Sequence, residues 1–338
     1  MSIKMFRKKH LSIMTWNIYF GADLTPLINT TPEEVPEVVA EIFNQFNQTN
    51  FTARYESISK QIYKTRPDII GLHEVAVWTL QSPTSLDVID FLDILLGDLS
   101  KLGLDYNIVA INRNFRNRLP SSTGSTIGIL DRDVILARSK SPLKFSNIQE
   151  NNFETNLVVP IGGQPFKVLR GWSSVDVCLF NHKFRLVSTH LEANSSEVRF
   201  AQANELLKGP GVTNLPLIFI GDFNSNAEFD ESQTYDLLID SGFTDAWDIE
   251  DKGPGFTASQ ARNLLNPIST LNERIDLILF RNRFDVRKIN RIGNKQRDRT
   301  PSGLWPSDHA GVVAKLNFHH ASNCLEASSH HKVNNKFL

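Results

Sequence analysis

Between residues 106 and 189 the chain is built from short segments in which apolar and polar residues alternate, and this period of two constrains the fold more than any other feature. The segments 106–111, 126–130, 133–137, 166–169, 174–180 and 184–189 read as consecutive strands, many of them hairpin-linked. Each such strand turns one face to a core. Strands in runs, interrupted by a few helices, predict an α/β chain of two stacked sheets with helices on the outer faces.

Helical patterns fall at 32–48, opened by Pro32-Glu33-Glu34, and at 53–65, where Tyr55, Ile58, Ile62 and Tyr63 share a side and Pro67 ends the run. Further helices are read at 86–102, 197–207 and 234–241, and buried strands at 11–16, 68–72, 217–220, 275–280 and 311–318. No internal repeat or linker divides the chain. Residues 1–9 read as an N-terminal extension and 10–318 as one domain. Residues 319–338, with His319, His320, His330 and His331, read as a disordered tail with solvated histidines.

With 338 residues, 41% hydrophobic, the chain can bury a large core. Its 36 basic and 37 acidic residues leave a formal charge of -1, so no global field draws it to nucleic acid or anionic lipid, and a polyanion must be bound locally. Cys178 and Cys324 are the only cysteines, and Cys178, inside the apolar run 175–180, reads as a buried thiol in a reducing compartment. Ser12, Thr15 and Asn17 break the apolar stretch after the basic start, so no signal-peptide core is present. Nothing approaches the roughly 20 apolar residues of a membrane span. The expectation is a cytoplasmic monomer without a transmembrane segment, with export by a route lacking a cleavable signal as the alternative.

Where the strands stop, the residues change character. Asn17 ends the first, and His73 and Glu74 end the next; His190 follows 184–189; Gly221-Asp222-Phe223-Asn224 follows 217–220. Asp276 lies inside an apolar strand after Arg274, and Asp308-His309 sits in a loop bounded by Gly303, Pro306 and Gly311. Each has an ordinary reading too. Asp222 and Asn224 make an Asx turn, Glu74 is a surface carboxylate, and His190 bonds a core carbonyl. A buried Asp276 needs a partner, for which His309 and Arg274 compete.

The order of these residues carries more than any one of them: Asn, then Glu, then His, then Gly-Asp-Phe-Asn, then Arg-Ile-Asp, then Ser-Asp-His. It resembles the endonuclease/exonuclease/phosphatase (DNase I-like) superfamily over nearly the whole chain. The resemblance implies a four-layer α/β/β/α sandwich of two mainly antiparallel sheets and a Mg²⁺-dependent phosphoester hydrolase, with Mn²⁺ as the alternative ion. By similarity, Glu74 is the main metal ligand, with Asn17 close to metal and phosphate and Asp308 a further ligand. Asp222 and Asn224 orient water and phosphate, His190 stabilises phosphoryl oxygens, and Asp276 holds His309. His309 is favoured over Asp222 as the base because its neutral form is available near pH 7. His73 departs from the glutamine that many relatives have before the glutamate.

Nucleic acid is the favoured substrate, through the basic segment 112–118 with its one aromatic, Phe115, read as a hairpin loop. A second basic run spans 287–299. The alternatives are a sphingomyelinase-like enzyme contacting a phospholipid head group through Trp172, Trp247, Phe256 or Trp305, an inositol-phosphate phosphoesterase, and an inactive binding protein of the same fold. Residues 253–257 read as a rim loop that shapes specificity.

Overall fold

A computed structural model describes residues 10–179, 181–229, 233–250 and 252–318, so the expected N-terminal extension and the expected tail lie outside the described residues. In chain order, β1 (His10–Asn17) leads through α1 (Val35–Thr49) and α2 (Phe51–Thr65) to β2 (Ile69–His73), β3 (Val77–Gln81) and β4 (Leu86–Asp90). After α3 (Phe91–Lys101) come β5 (Tyr106–Pro120), β6 (Thr126–Arg138), β7 (Lys144–Asn152), β8 (Leu157–Ile161), β9 (Gln164–Val168), β10 (Gly171–Leu179) and β11 (His182–His190). The remainder is α4 (Ser196–Lys208), β12 (Leu217–Asp222), α5 (Thr234–Asp240), β13 (Thr244–Asp245), β14 (Asp276–Arg281), β15 (Phe284–Ile292) and β16 (Gly311–Phe318).

One sheet runs β15-β16-β1-β2-β6-β3-β4 with β5 paired to β6, the other runs β13-β14-β12-β11-β10-β7, and β8 and β9 form a separate hairpin. Alternation along each strand sorts the side chains into layers. Leu11, Ile13, Ile69 and Ile135 of the first sheet meet Val175, Leu186, Ile218 and Ile278 of the second. Met14, Ile70 and Leu136 face outward onto Ile42, Phe46, Ile58 and Leu95 of the first three helices. Val187 and Phe219 face outward from the second sheet onto Leu206 and Leu238 of α4 and α5. These layers are the expected α/β/β/α sandwich of mainly antiparallel sheets. No helix among the described residues is long and apolar enough to cross a membrane.

The sheet order explains why distant residues meet. Each sheet contains one parallel pair, β1 with β2 and β11 with β12, so both strands of a pair finish at the same edge. Asn17 thereby lies opposite His73, and His190 opposite Asp222. The antiparallel neighbours begin at that edge: Asp276 opens β14 opposite Asp222, and β16 starts just after His309. At Gly71 the two sheets approach so closely that a Cβ would stand 2.7 Å from Ile220 Cδ1 and 2.8 Å from Ser188 Oγ.

Several elements differ from expectation. The helix read at 86–102 starts only at Phe91, because the Asp90 carboxylate accepts from Leu92 N and Asp93 N as an N-cap, a contact worth about 1 kcal/mol, while 86–90 pairs with β3. The segments 126–130 and 133–137 are one strand, and the basic segment 112–118 is the second half of β5, paired with β6, rather than a loop. Part of the basic run 287–299 is β15. Strands β3, β7 and β8 had no clean alternation to betray them. In α2 the buried side is Arg54, Ile58, Gln61 and Ile62, and Tyr63 is exposed. Cys178 is half-buried and disulfide-bonded, not a free thiol, because alternation in β10 turns Val177 and Leu179 to the core and Cys178 away from it.

Candidate active site

At the shared edge, Asn17 is the bridge between the sheets. Its Nδ2 donates to Glu74 Oε1 at 2.9 Å and to Asp222 Oδ2 at 3.0 Å, and its Oδ1 accepts from Tyr19 N at 2.9 Å. Two carboxylates on one atom and an amide N–H on the other fix which end of the amide is which. Glu74 takes a left-handed backbone conformation, φ 58°, just after β2, and its Oε2 accepts from Phe20 N at 2.9 Å. A non-glycine residue there costs about 1 kcal/mol or more, and such positions cluster at functional sites.

His309 stands on the β14 side. Its Nδ1 is 2.8 Å from Asp276 Oδ2 and 3.9 Å from Asp222 Oδ2, while Asp276 N donates to Thr257 Oγ1 at 3.1 Å. Of the two partners considered for Asp276, His309 takes the place. Arg274 instead pairs with Asp245, Glu228 and Asp248. Thr257 is buried and Gly255 packs on the Trp247 ring, so 253–257 includes a brace for Asp276 rather than only a rim loop. The loop before β16 is anchored where Ser307 Oγ donates to Asn17 O at 2.7 Å and Trp16 Nε1 donates to His309 O at 3.0 Å.

His190 stands on the other side, with Nε2 3.4 Å from Asp222 Oδ2. Its Nδ1 is 3.1 Å from Arg170 Nη1. An arginine can only donate, so Nδ1 is the acceptor and the ring proton sits on Nε2, facing Asp222. Arg170 is itself 3.4 Å from Asp131 Oδ2, and Asn114 Nδ2 joins Asp131 and Asp133 at 3.1 and 2.9 Å. His73 bonds Ser188 Oγ at 3.1 Å and packs edge-on against His190, ring centroids 5.9 Å apart, so this histidine supports its neighbour. The Asx turn is present as well: Asn224 N donates to Asp222 Oδ1 at 3.0 Å, and Asn224 Nδ2 to Leu191 O at 2.9 Å.

The neighbours tune the two histidines oppositely. Burial and then Arg170 hold His190 well below its ordinary pKa. Burial also pulls on His309, but Asp276, Asp308 and Asp222 outweigh it and raise its pKa well above 6.5. Against the expectation of a neutral His309 near pH 7, the three carboxylates around the ring favour its protonated form while no cation offsets their charge.

Glu74 and Asp308 make the end of the site that suits a divalent cation. Burial and then the Asp308 charge push Glu74 up to about 8, and burial also raises Asp308. Neither carboxylate has an ion pair among the described residues, and hard oxygen donors of this kind match Mg²⁺. Asn17 Oδ1, expected close to the metal, accepts one bond from Tyr19 N and keeps a second lone pair. Asp222, Asp276 and His309 also offer ligand atoms within 4.8 Å of one another, and the His309–Asp276 hydrogen bond engages one atom of each while Asp276 Oδ1 stays buried without a partner.

Two supporting arginines escaped the sequence reading. Arg54 is fully buried and donates to the carbonyls of Thr49, Ile18, Tyr19 and Pro306, tying the exit of β1 to the segment before Asp308. Arg170, with Asp131, Asp133 and Asn114, forms the buried network behind His190. Of the aromatics considered for surface contact, Trp247 and Trp305 are buried and Trp172 and Phe256 partly so, and Phe115 of the basic segment is buried too.

Beside Glu74, Asp308 and Arg170 the site opens into a cavity of about 320 Å³ lying against α1, β3, β5, β6 and the β8–β9 hairpin.

The Endonuclease/Exonuclease/phosphatase family model matches residues 14–309. A search of the curated proteins finds no match. Among solved structures, a family protein from Bacteroides thetaiotaomicron is similar at TM-score 0.56 and 17% identity, over 91% of this chain and 98% of that one. A mannosyl-6-phosphatase from Bacteroides thetaiotaomicron VPI-5482 is similar at TM-score 0.55 and 18% identity, over 91% and 100%. D. rerio TDP2 complexed with single strand DNA product is similar at TM-score 0.54 and 17% identity, over 91% and 99%. At these identities the structures show the shared fold. With its family model spanning the strand-end residues from β1 to His309, the chain belongs to the endonuclease/exonuclease/phosphatase family.

Proposed function

We propose that this protein is a divalent-metal-dependent phosphoester hydrolase acting by in-line attack of water on phosphorus. The observation that carries the reading is the Asn17 bridge, which joins the Glu74 end to Asp222 and, through it, to both histidines. A phosphodiester resists attack because it is anionic, so a catalyst must offset its charge and manage protons at the attacking and leaving oxygens. Both provisions are at hand. Relatives described as a mannosyl-6-phosphatase and as TDP2 with single strand DNA product support phosphoester chemistry.

Glu74 and Asp308 would hold the cation, Mg²⁺ or Mn²⁺, which supplies positive charge against the phosphate when bound. Asn17 is a positioning residue that sets Glu74 and Asp222. Asp276 fixes His309 at Nδ1, which leaves Nε2 without a partner among the described residues and able to exchange a proton with the reaction. Asp222, flanked by both rings, orients the water, and His190 offers its Nε2–H, and Asn224 its side chain, to phosphoryl oxygens. Nucleic acid keeps the support of the exposed Arg113, Arg116 and Arg118 on β5 but loses Phe115 as a stacking platform. The cytoplasmic expectation loses its cysteine argument, since disulfides persist in oxidising compartments.

The test is hydrolysis of bis-p-nitrophenyl phosphate with Mg²⁺ or Mn²⁺ and with EDTA. Turnover that EDTA abolishes is expected, and the absence of turnover with any metal would leave an inactive binding protein of the same fold.

A further inference from the structure

We infer that the substrate is an amphiphile: a phosphoester whose phosphate sits at Glu74 and Asp308 and whose alkyl chain enters the adjoining cavity. The inference rests on the hydrolase reading for the phosphate and on the cavity alone for the chain. At about 320 Å³ the cavity falls within the range of small-molecule sites, roughly 300–1,000 Å³.

Its lining is sorted by polarity. Val39, Ile42, Trp78, Phe115, Ile129 and Val159 contribute apolar surface, and each keeps a few per cent of exposure where the core between the sheets, at Leu11, Ile13 and Leu186, has none. The buried polar side chains on the wall are Glu74, Arg170 and Gln260, and all three belong to the site end: Glu74 and Arg170 stand in it, and Gln260 N donates to Asp308 O at 2.8 Å. The polar handles on the lining aromatics are already satisfied inside the protein. Trp78 Nε1 donates to Phe20 O at 2.7 Å, and Tyr19 OH donates to Arg262 O at 3.0 Å. Gln260 Oε1 likewise accepts from Asn266 Nδ2 at 2.7 Å.

Less buried polar residues complete the lining, and of these Asp23 pairs with Arg262 and accepts from Thr25, while Asn117 Oδ1 accepts from Arg118 N, so the deeper wall offers a ligand mainly apolar contact. A nucleobase has donors and acceptors along its edge and would enter such a space with them unpaired, at a cost. An alkyl chain loses nothing and gains burial. Arg170, together with the cation that Glu74 and Asp308 would hold on the hydrolase reading, makes the head an anionic phosphoester rather than a neutral lipid.

The experiment uses the full chain with Mg²⁺ and a series of alkyl p-nitrophenyl phosphodiesters, methyl, butyl and octyl, each kept below its aggregation threshold. A fully buried methylene is worth roughly three- to fourfold in affinity, so kcat/KM is expected to rise at least about tenfold from methyl to octyl. Val159→Trp, which fills the cavity from the β8–β9 hairpin, should bring the octyl-to-methyl ratio down toward one, and Val159→Ala should move the optimum to longer chains. Thermal unfolding reports on folding of each variant. A flat series from an active enzyme, an unchanged ratio in folded Val159→Trp, or preference for a single-stranded oligonucleotide over the octyl ester would overturn the inference and leave the hydrolase reading standing. Conversely, if no ester is turned over but octyl phosphate binds about tenfold more tightly than methyl phosphate by calorimetry, the cavity assignment stands and the hydrolase reading falls.

Discussion

The two corners flanking Asp222 hold the same residue type to different ends. At the β14 corner, His309 faces Asp276, Asp308 and Asp222, which favour its proton. At the β11 corner, His190 lies in a buried network whose nearest charge is the Arg170 guanidinium, and the proton is disfavoured. The rings stand 3.9 and 3.4 Å from one carboxylate oxygen, so distance to Asp222 does not separate them. What separates them is the company behind: a carboxylate holds Nδ1 of one ring, and an arginine at Nδ1 of the other leaves its proton on Nε2.

If this contrast holds, the largest effect comes from the first corner. His309→Ala should lower turnover of a phosphodiester by about a thousandfold, within the usual range for loss of a positioned proton-transfer group, while circular dichroism remains that of the folded chain. A fully active variant would remove His309 from the chemistry. Asp276→Asn should fall between His309→Ala and wild type.

Next is the joint between the corners. Asn17→Ala frees Glu74 and Asp222 together and should weaken the apparent Mg²⁺ affinity about 10–100-fold, as loss of a group that orients a ligand typically does. Titrating activity against Mg²⁺ measures it, and an unchanged midpoint would deny Asn17 that role.

Arg170→Met addresses the second corner. It strips Asp131 and Asp133 of their buried cation and should cost about 3 kcal/mol in urea unfolding. An Arg170→Met protein of unaltered stability but with turnover as low as His309→Ala would show that both corners act directly in chemistry, and the contrast would collapse.

The smallest effect is on pH dependence. The folded-state pKa of His190 lies below its ordinary 6.5, so the unfolded chain binds the proton more readily. The resulting stability is fully present above 6.5 and is lost as the pH falls from there toward the folded value. Unfolding of the EDTA-treated protein at pH 7 and pH 5 should show a smaller loss in His190→Gln than in wild type. Equal losses would mean that His190 is not held neutral.

Much of the site was legible because strand ends advertise themselves: an apolar run that stops at Asn17, His190 or Asp222 changes character over one residue. Asp276 was legible as a buried carboxylate needing a partner, but the choice between His309 and Arg274 was not, since both are plausible neighbours until Asp245, Glu228 and Asp248 are seen around Arg274. Arg54 and Arg170 were missed because a buried arginine looks like a surface one until the carbonyls and carboxylates around it are assembled. The segment 112–118 misled for a related reason: its arginines stay exposed while Asn112 turns inward and an irregularity in the pairing between Arg113 and Arg116 lets the consecutive Asn114 and Phe115 both turn inward.

Local periodicity, which depends on neighbours within a few residues, determined that the chain would form sheets with outer helices and which residues would stand at the strand ends. Pairing determined the rest. Only the two parallel pairs, β1 with β2 and β11 with β12, bring four of those ends to one edge, and only the stacking of the sheets sets Asn17 between Glu74 and Asp222. The protonation of each histidine and the shape of the cavity follow from contacts between residues 20 or more positions apart in the chain, and no local pattern contains them.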